Sequence, residues 1–109
     1  MKITLENNFI SATFESKGAE LISLIKKTTN LNFIWNGNPS FWAKHSPILF
    51  PIVGTLKNDT YYYNEQPYSL SRHGFARDMT FDIISQNENS ITFSLTSNKE
   101  TLVKLKYRF

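Results

Sequence analysis

"KITLENNFISATFE", Lys2–Glu15, sets the period of the whole chain. Ile3 and Leu5 alternate with Lys2, Thr4 and Glu6; beyond Asn7-Asn8, Ile10, Ala12 and Phe14 alternate with Ser11, Thr13 and Glu15. A repeat of two puts apolar side chains on one face of a strand, whereas a helix needs a repeat of 3.6. The same repeat returns at Ile91, Phe93 and Leu95 against Thr92, Ser94 and Thr96. Turn-forming residues separate the runs at Lys17-Gly18, at Asn36 to Pro39, at Asn64 to Pro67 and at Asn87 to Ser90. "TYYYNEQPYSL" (60–70) and "ISQNENSITF" (84–93) therefore read as hairpins, and the β-branched residues of "GAELISLIKK" (18–27) favour a strand over a short helix. Many short strands predict an all-β chain, an antiparallel β-sandwich in a single domain spanning 1–109. Val103, Leu105, Tyr107 and Phe109 alternate with Lys104, Lys106 and Arg108, which predicts a last strand with one solvated face. Such a strand leaves an open sheet edge on which a second copy of the chain can pair as a homodimer.

One segment breaks the period. "SFWAKHSPILFPIVGTLKND", 40–59, carries Pro47 and Pro51, each lacking the N–H that a central strand needs. It reads as a long ordered loop with Ile48, Leu49, Ile52 and Val53 in the core. His45, beside Ser46-Pro47, reads as a residue that satisfies backbone groups of this loop.

The totals narrow the class. The chain has 109 residues, 40% of them apolar and 15% aromatic, with a net charge of +3. That supports a core and carries no dense basic patch, so no nucleic-acid partner is expected. With no cysteine and only two histidines, disulfides and thiolate chemistry are out and a metal site is not expected. No apolar run nears the roughly 18 residues of a membrane span. "MKITLENNFI" has no apolar h-region of a signal peptide, so a cytoplasmic location is expected.

The chemistry gathers in "SRHGFARD", 71–78. His73 brings a proton-capable imidazole, Arg72 and Arg77 offer forked donors, and Gly74 permits a close backbone approach. Asp78 can pair with an arginine. Trp35, Trp42 and Tyr61 to Tyr63 supply flat rings of the kind that cover the apolar faces of sugars. The set suits a polyol ligand and includes a proton-capable group.

"SPILFPIVGTLKNDTYYYNEQPYSLSRHGFARDMTF", 46–81, resembles the N-terminal part of the aldose 1-epimerase (galactose mutarotase-like) family, most of all its bacterial lactose-operon-associated branch. "FPIVG" and "RHGFARD" carry the resemblance, and "GAELISLIKKTTNLNFIWNGNPSFW" extends it upstream. The resemblance implies a supersandwich and an isomerase that interconverts the α and β anomers of an aldose without metal or organic cofactor. In that mechanism a carboxylate takes the anomeric hydroxyl proton, a histidine protonates the ring oxygen, and the opened ring recloses on its other face. By this resemblance His73 is the catalytic candidate and, with Arg77, a substrate-binding candidate; Arg72, whose guanidinium adjoins them, completes the substrate-binding set. Thr55 stands where many relatives have an arginine, with Lys57 as the nearest cation, which weakens a sugar-phosphate reading. The family's principal catalytic histidine and glutamate base belong to a second half that has no match here, and Glu65, Glu88 and Glu100 read as turn residues. The expectation is a mutarotase-like isomerase in truncated form, or else a catalytically silent carbohydrate-binding remnant or an edge-pairing β module.

Overall fold

Asn7 and Asn87 build the same turn twice. In the computed structural model, which describes residues 1–109, Asn7 Oδ1 accepts the backbone N–H groups of Phe9 and Ile10, and Asn87 Oδ1 accepts those of Asn89 and Ser90. Each side chain mimics a backbone turn and reverses the chain between two strands. The first reversal joins β1 (Lys2–Glu6) to β2 (Ile10–Glu15), which continue through β3 (Glu20–Lys26) to the short β4 (Leu31–Asn32) as one antiparallel meander. β5 (Thr60–Tyr63) and β6 (Gln66–Ser69) form a separate hairpin, and β7 (Asp82–Gln86) with β8 (Ile91–Ser94) forms another. Asn64 and Glu65 both take positive φ, 47° and 63°, the geometry of a tight hairpin turn that matches strand twist. The all-β antiparallel expectation holds. No helix is long and apolar enough to cross a membrane.

The sheet and the β7–β8 ribbon meet where Phe14 and Phe93 come together, with ring centroids 6.1 Å apart. A bulge between Ile83 and Ser85 leaves Ile84 unpaired and exposed, so Ile83 alone stays opposite Phe93. Packing elsewhere is open. The radius of gyration is 16.8 Å, against about 13 Å for a closed domain of this length. The accessible surface is 7694 Å², against about 6,200 Å² for a closed domain of this mass.

Two expectations fail. Val103–Phe109 is not a strand: a helix, α1 (Lys99–Lys104), occupies its start. Asn98 Oδ1 accepts the Thr101 N–H, and Thr101 Oγ1 accepts the Asn98 N–H. This reciprocal cap nucleates a helical turn locally and outweighs the alternating pattern behind it. The helix includes Glu100, and the rest of the tail folds back. Tyr107 packs edge-on to Tyr63, and the Phe109 ring lies 5.0 Å from Phe50 and 5.9 Å from Phe75. The sheet edge expected at 103–109 for a second copy therefore does not form. Within the long loop, Leu49 and Ile52 are half-buried, but Ile48 and Val53 are exposed. Ile48 lines an open apolar cleft with Phe14, Phe81 and Phe93 rather than a closed core.

The docking of the long loop sets the site. Phe50 and Gly74 lie side by side in a parallel bridge, and the Phe50 carbonyl accepts both the Phe75 N–H at 3.0 Å and the Ala76 N–H at 3.2 Å. Phe75 and Ala76 are buried there, with the Phe75 ring edge-on to Phe50. Gly74 has φ of 69°, and a Cβ on it would lie 2.2 Å from the Phe50 oxygen. Gly74→Ala therefore meets a left-handed backbone penalty of about 1–3 kcal/mol and a backbone clash with nowhere to relax. Urea denaturation is expected to give a loss at or above the top of that range; a variant within 0.5 kcal/mol of the parent would refute the interlock.

Candidate functional site

Immediately before Gly74, His73 is itself left-handed, with φ of 65°. It is held there by two bonds to one residue. The His73 N–H donates to the Gly54 carbonyl at 2.8 Å, and the Gly54 N–H donates to His73 Nδ1 at 2.8 Å. A neutral imidazole has one acceptor nitrogen and one N–H. Gly54 occupies the acceptor, so the proton sits on Nε2. Arg72 Nε donates to Nε2 at 3.4 Å, a long bond beside the 2.8 Å bond at Nδ1, so Arg72 must turn aside for Nε2 to donate to a ligand. The "FPIVG" and "RHGFARD" segments thus fix the tautomer of His73 by backbone geometry.

Arg77 and Asp78 follow in a 3-10 turn, Ala76–Asp78. The Arg77 carbonyl presses on Gly18, where a Cβ would sit 2.9 Å away. Gly18 in turn receives the Ile48 N–H at its carbonyl and donates to Met79, so the meander, the long loop and the 3-10 turn meet there. Arg77 Nε is buried with no hydrogen-bond partner, its nearest charge being Asp78 Oδ2 at 3.7 Å. Lys44 Nζ donates to Asp78 Oδ1 at 3.0 Å. That bond, against partial burial and with help from the nearby charges of Lys44, Arg77 and Lys17, holds the Asp78 carboxyl below its usual range.

The long loop brings a second imidazole. The His45 backbone N–H donates to Glu20 Oε1, and His45 Nδ1 lies 3.7 Å from the same oxygen. Ser46 Oγ donates to the Leu21 carbonyl at 2.7 Å, tying the loop to β3. Trp35 Nε1 donates to the Trp42 carbonyl at 2.8 Å, which fixes the loop upstream.

These pieces converge on one open cavity of about 580 Å³, walled by Trp42, His45, Ser46, Pro47, Leu49, Arg72, His73 and Arg77. All three sequence-selected site residues, Arg72, His73 and Arg77, arrive there together. Of the aromatic residues singled out in the sequence, Trp42 lines the wall. Tyr61 does not: it stacks on Tyr68 and its hydroxyl donates to the Lys104 carbonyl. Thr55 and Lys57 also stand outside the lining. His45, read from the sequence as a loop residue that satisfies backbone groups, belongs to the wall. Its partner Glu20 carried no signal, since it looks like any polar residue opening a strand.

The sequence profile of the aldose 1-epimerase family matches residues 1–109. The LacX proteins of Lactococcus lactis subsp. lactis, plasmid and chromosomal, are each 40% identical over 114 residues, a match covering 100% of this chain and 38% of theirs. The chain thus spans 38% of the length of the curated relatives it matches. The galactose mutarotase related enzyme of Lactobacillus acidophilus superposes with a TM-score of 0.96 at 42% identity, over 99% of this chain and 36% of that one. A galactose mutarotase-like protein of Lactobacillus casei gives 0.96 at 40% identity, over 99% and 37%. The fold is therefore the galactose mutarotase-like sandwich in its N-terminal portion.

The Lys44–Asp78 pair has a pH signature. A carboxyl whose pKa is depressed by folding stabilises the fold above its unfolded pKa, about 3.9, and loses that contribution as pH falls through the folded value. Asp78 is largely exposed, so solvent screening keeps the effect small. Thermal melts between about pH 5 and pH 2 are expected to fall less steeply for Asp78→Asn than for the parent; parallel curves would show that the pair contributes nothing.

Proposed function

The chain belongs to the aldose 1-epimerase family, and from that footing we propose that it binds an aldose in the Arg72–His73–Arg77 cavity and promotes exchange of its anomers. The observation that carries this reading is the His73 clamp. With Nδ1 held by Gly54, the only N–H that the ring offers a ligand is at Nε2. A hydrogen bond from that N–H to the ring oxygen of a pyranose stabilises the negative charge that develops there as the ring opens. Arg72 and Arg77 add forked donors for hydroxyls, and Trp42 gives an apolar ring for the carbon face. His73 then acts as a fixed hydrogen-bond donor. It shapes the transition state without giving up its proton, since loss of a proton from the neutral ring would leave an imidazolate. The reading includes a cytoplasmic small-molecule aldose as ligand and needs no cofactor.

A second reading, sugar binding without turnover, has one observation in its favour: no carboxylate lines the cavity. Polarimetry of freshly dissolved α-D-glucose and α-D-galactose separates the two. Acceleration above the spontaneous rate, reduced about 10²-fold or more in His73→Ala, is the expected result. Equilibration at the spontaneous rate, with saturable sugar binding by calorimetry, would leave only the second reading.

A further inference from the structure

One apolar surface of the molecule lies outside the aldose cavity and takes no part in its chemistry. Ile3 faces Phe14 and Leu5 faces Ala12 across β1 and β2, so these four side chains share one face of the sheet. Ile3 is buried, but Leu5, Ala12 and Phe14 are only half-buried. On the ribbon, Ile91 and Phe93 stand two residues apart and share a face of β8. The two faces touch at Phe14 and Phe93 and stand open beside that contact. The opening is a cleft of about 540 Å³ walled by Leu5, Phe14, Ile48, Phe81, Ile91 and Phe93, and no charged residue lines it. Of these six side chains only Ile48 is exposed, at 47%.

An apolar sheet face is stable only when a second layer covers it. This chain exposes about 1,500 Å² more than a closed domain of its mass. A stable interface buries about 800 Å² on each partner, so the uncovered surface is large enough to hold one. The molecule is also flat, 56 × 33 × 17 Å, and stacking two such slabs gives a more compact particle. What covers the cleft must be apolar and must bring no charge against it. A second copy meets both conditions. Two clefts related by a two-fold axis meet without like charges in opposition, because neither cleft carries a charge.

We propose that this cleft is the docking surface for a second copy of the chain, and that the protein forms a two-fold dimer in which the half-covered sheet faces cover each other. The C-terminal edge expected to pair two copies is replaced by a helix and its return, so the copies meet by faces and not by edges. Ile48, the exposed wall residue, projects toward the facing cleft. Its neighbours Pro47 and Leu49 line the aldose cavity, so three successive residues alternate between the two surfaces. The Ile48 N–H donates to the Gly18 carbonyl at 2.9 Å, which holds that stretch against the sheet. Docking at the cleft therefore braces the cavity wall from behind.

Analytical ultracentrifugation of the purified chain tests this. The parent is expected to be a dimer with a dissociation constant on the order of 10 µM or tighter, the weak end for interfaces of this size. Ile48→Glu sets a carboxylate in each cleft with no partner and is expected to weaken the dimer about 10²-fold or more. Leu31→Glu, at an exposed position on β4 at the far edge of the meander, is expected to leave it intact. Circular dichroism checks that both variants keep the sheet. A cross-link gives a readout that does not rest on a loss. The chain has no cysteine, so Ile48→Cys carries a single thiol. Mild oxidation is expected to join two copies faster in Ile48→Cys than in Leu31→Cys. A parent that stays monomeric up to about 100 µM would overturn the proposal and leave the cleft to strands of a different chain. A dimer that Ile48→Glu leaves intact would also overturn it, as would association that runs past two copies, since a two-fold contact closes at two.

Discussion

The Phe50 carbonyl is the fixed point of this molecule. Two successive N–H groups, of Phe75 and Ala76, converge on it, and Gly74 passes close enough to leave no room for a Cβ. Everything that gives the site its chemistry lies within a few residues of that contact. His73 pays a left-handed backbone cost of about 1–3 kcal/mol. The paired bonds to Gly54 and the two bonds at Phe50, each of about 1 kcal/mol net, are large enough together to offset it. The clamp and the interlock adjoin one another, Gly54 meeting His73 where Phe50 meets Gly74.

The site is consequently a product of backbone hydrogen bonding more than of side-chain burial. Only eight of 109 residues are buried, and the meander and ribbons leave much apolar surface in contact with solvent. Three of the eight, Gly74, Phe75 and Ala76, follow directly on His73. The loops that shape the cavity take their order from fixed polar contacts: Ser46 on Leu21, Trp35 on Trp42, His45 on Glu20 and Gly18 on Met79. Such contacts orient a group closely and contribute little to global stability.

How far the sequence disclosed this follows from the range of each signal. β1, β2 and β8 were legible because a two-residue repeat and an asparagine turn both act within a few positions. His73, Arg72 and Arg77 were legible as a group because they adjoin one another in "SRHGFARD". The helix at Lys99–Lys104 was missed because the Asn98–Thr101 cap decides the conformation before the alternating side chains of Val103–Phe109 have a ladder to join. The place of His45 was missed for the opposite reason. Its environment comes from Gly37 and from Glu20, twenty-five positions away, and neither looks unusual alone. The tyrosines misled because aromatic rings suit sugars and hairpins equally, and here Tyr61 and Tyr68 satisfy each other.

The two tryptophans, Trp35 and Trp42, are the only ones in the chain: Trp42 lines the cavity, and Trp35, just upstream of the long loop, donates to the Trp42 carbonyl. No indole stands in the sheet or in either hairpin. Light absorbed at the red edge of the near-ultraviolet band is thus taken up almost entirely by these two residues. The emission colour of the native chain is set by the surroundings of the loop and of the segment just before it, and carries almost no information about the strands. An optical unfolding curve followed in that band would track the undocking of one loop, while far-ultraviolet dichroism would track the sheets. The molecule thereby separates, in its own spectrum, the fate of its cavity from the fate of its scaffold.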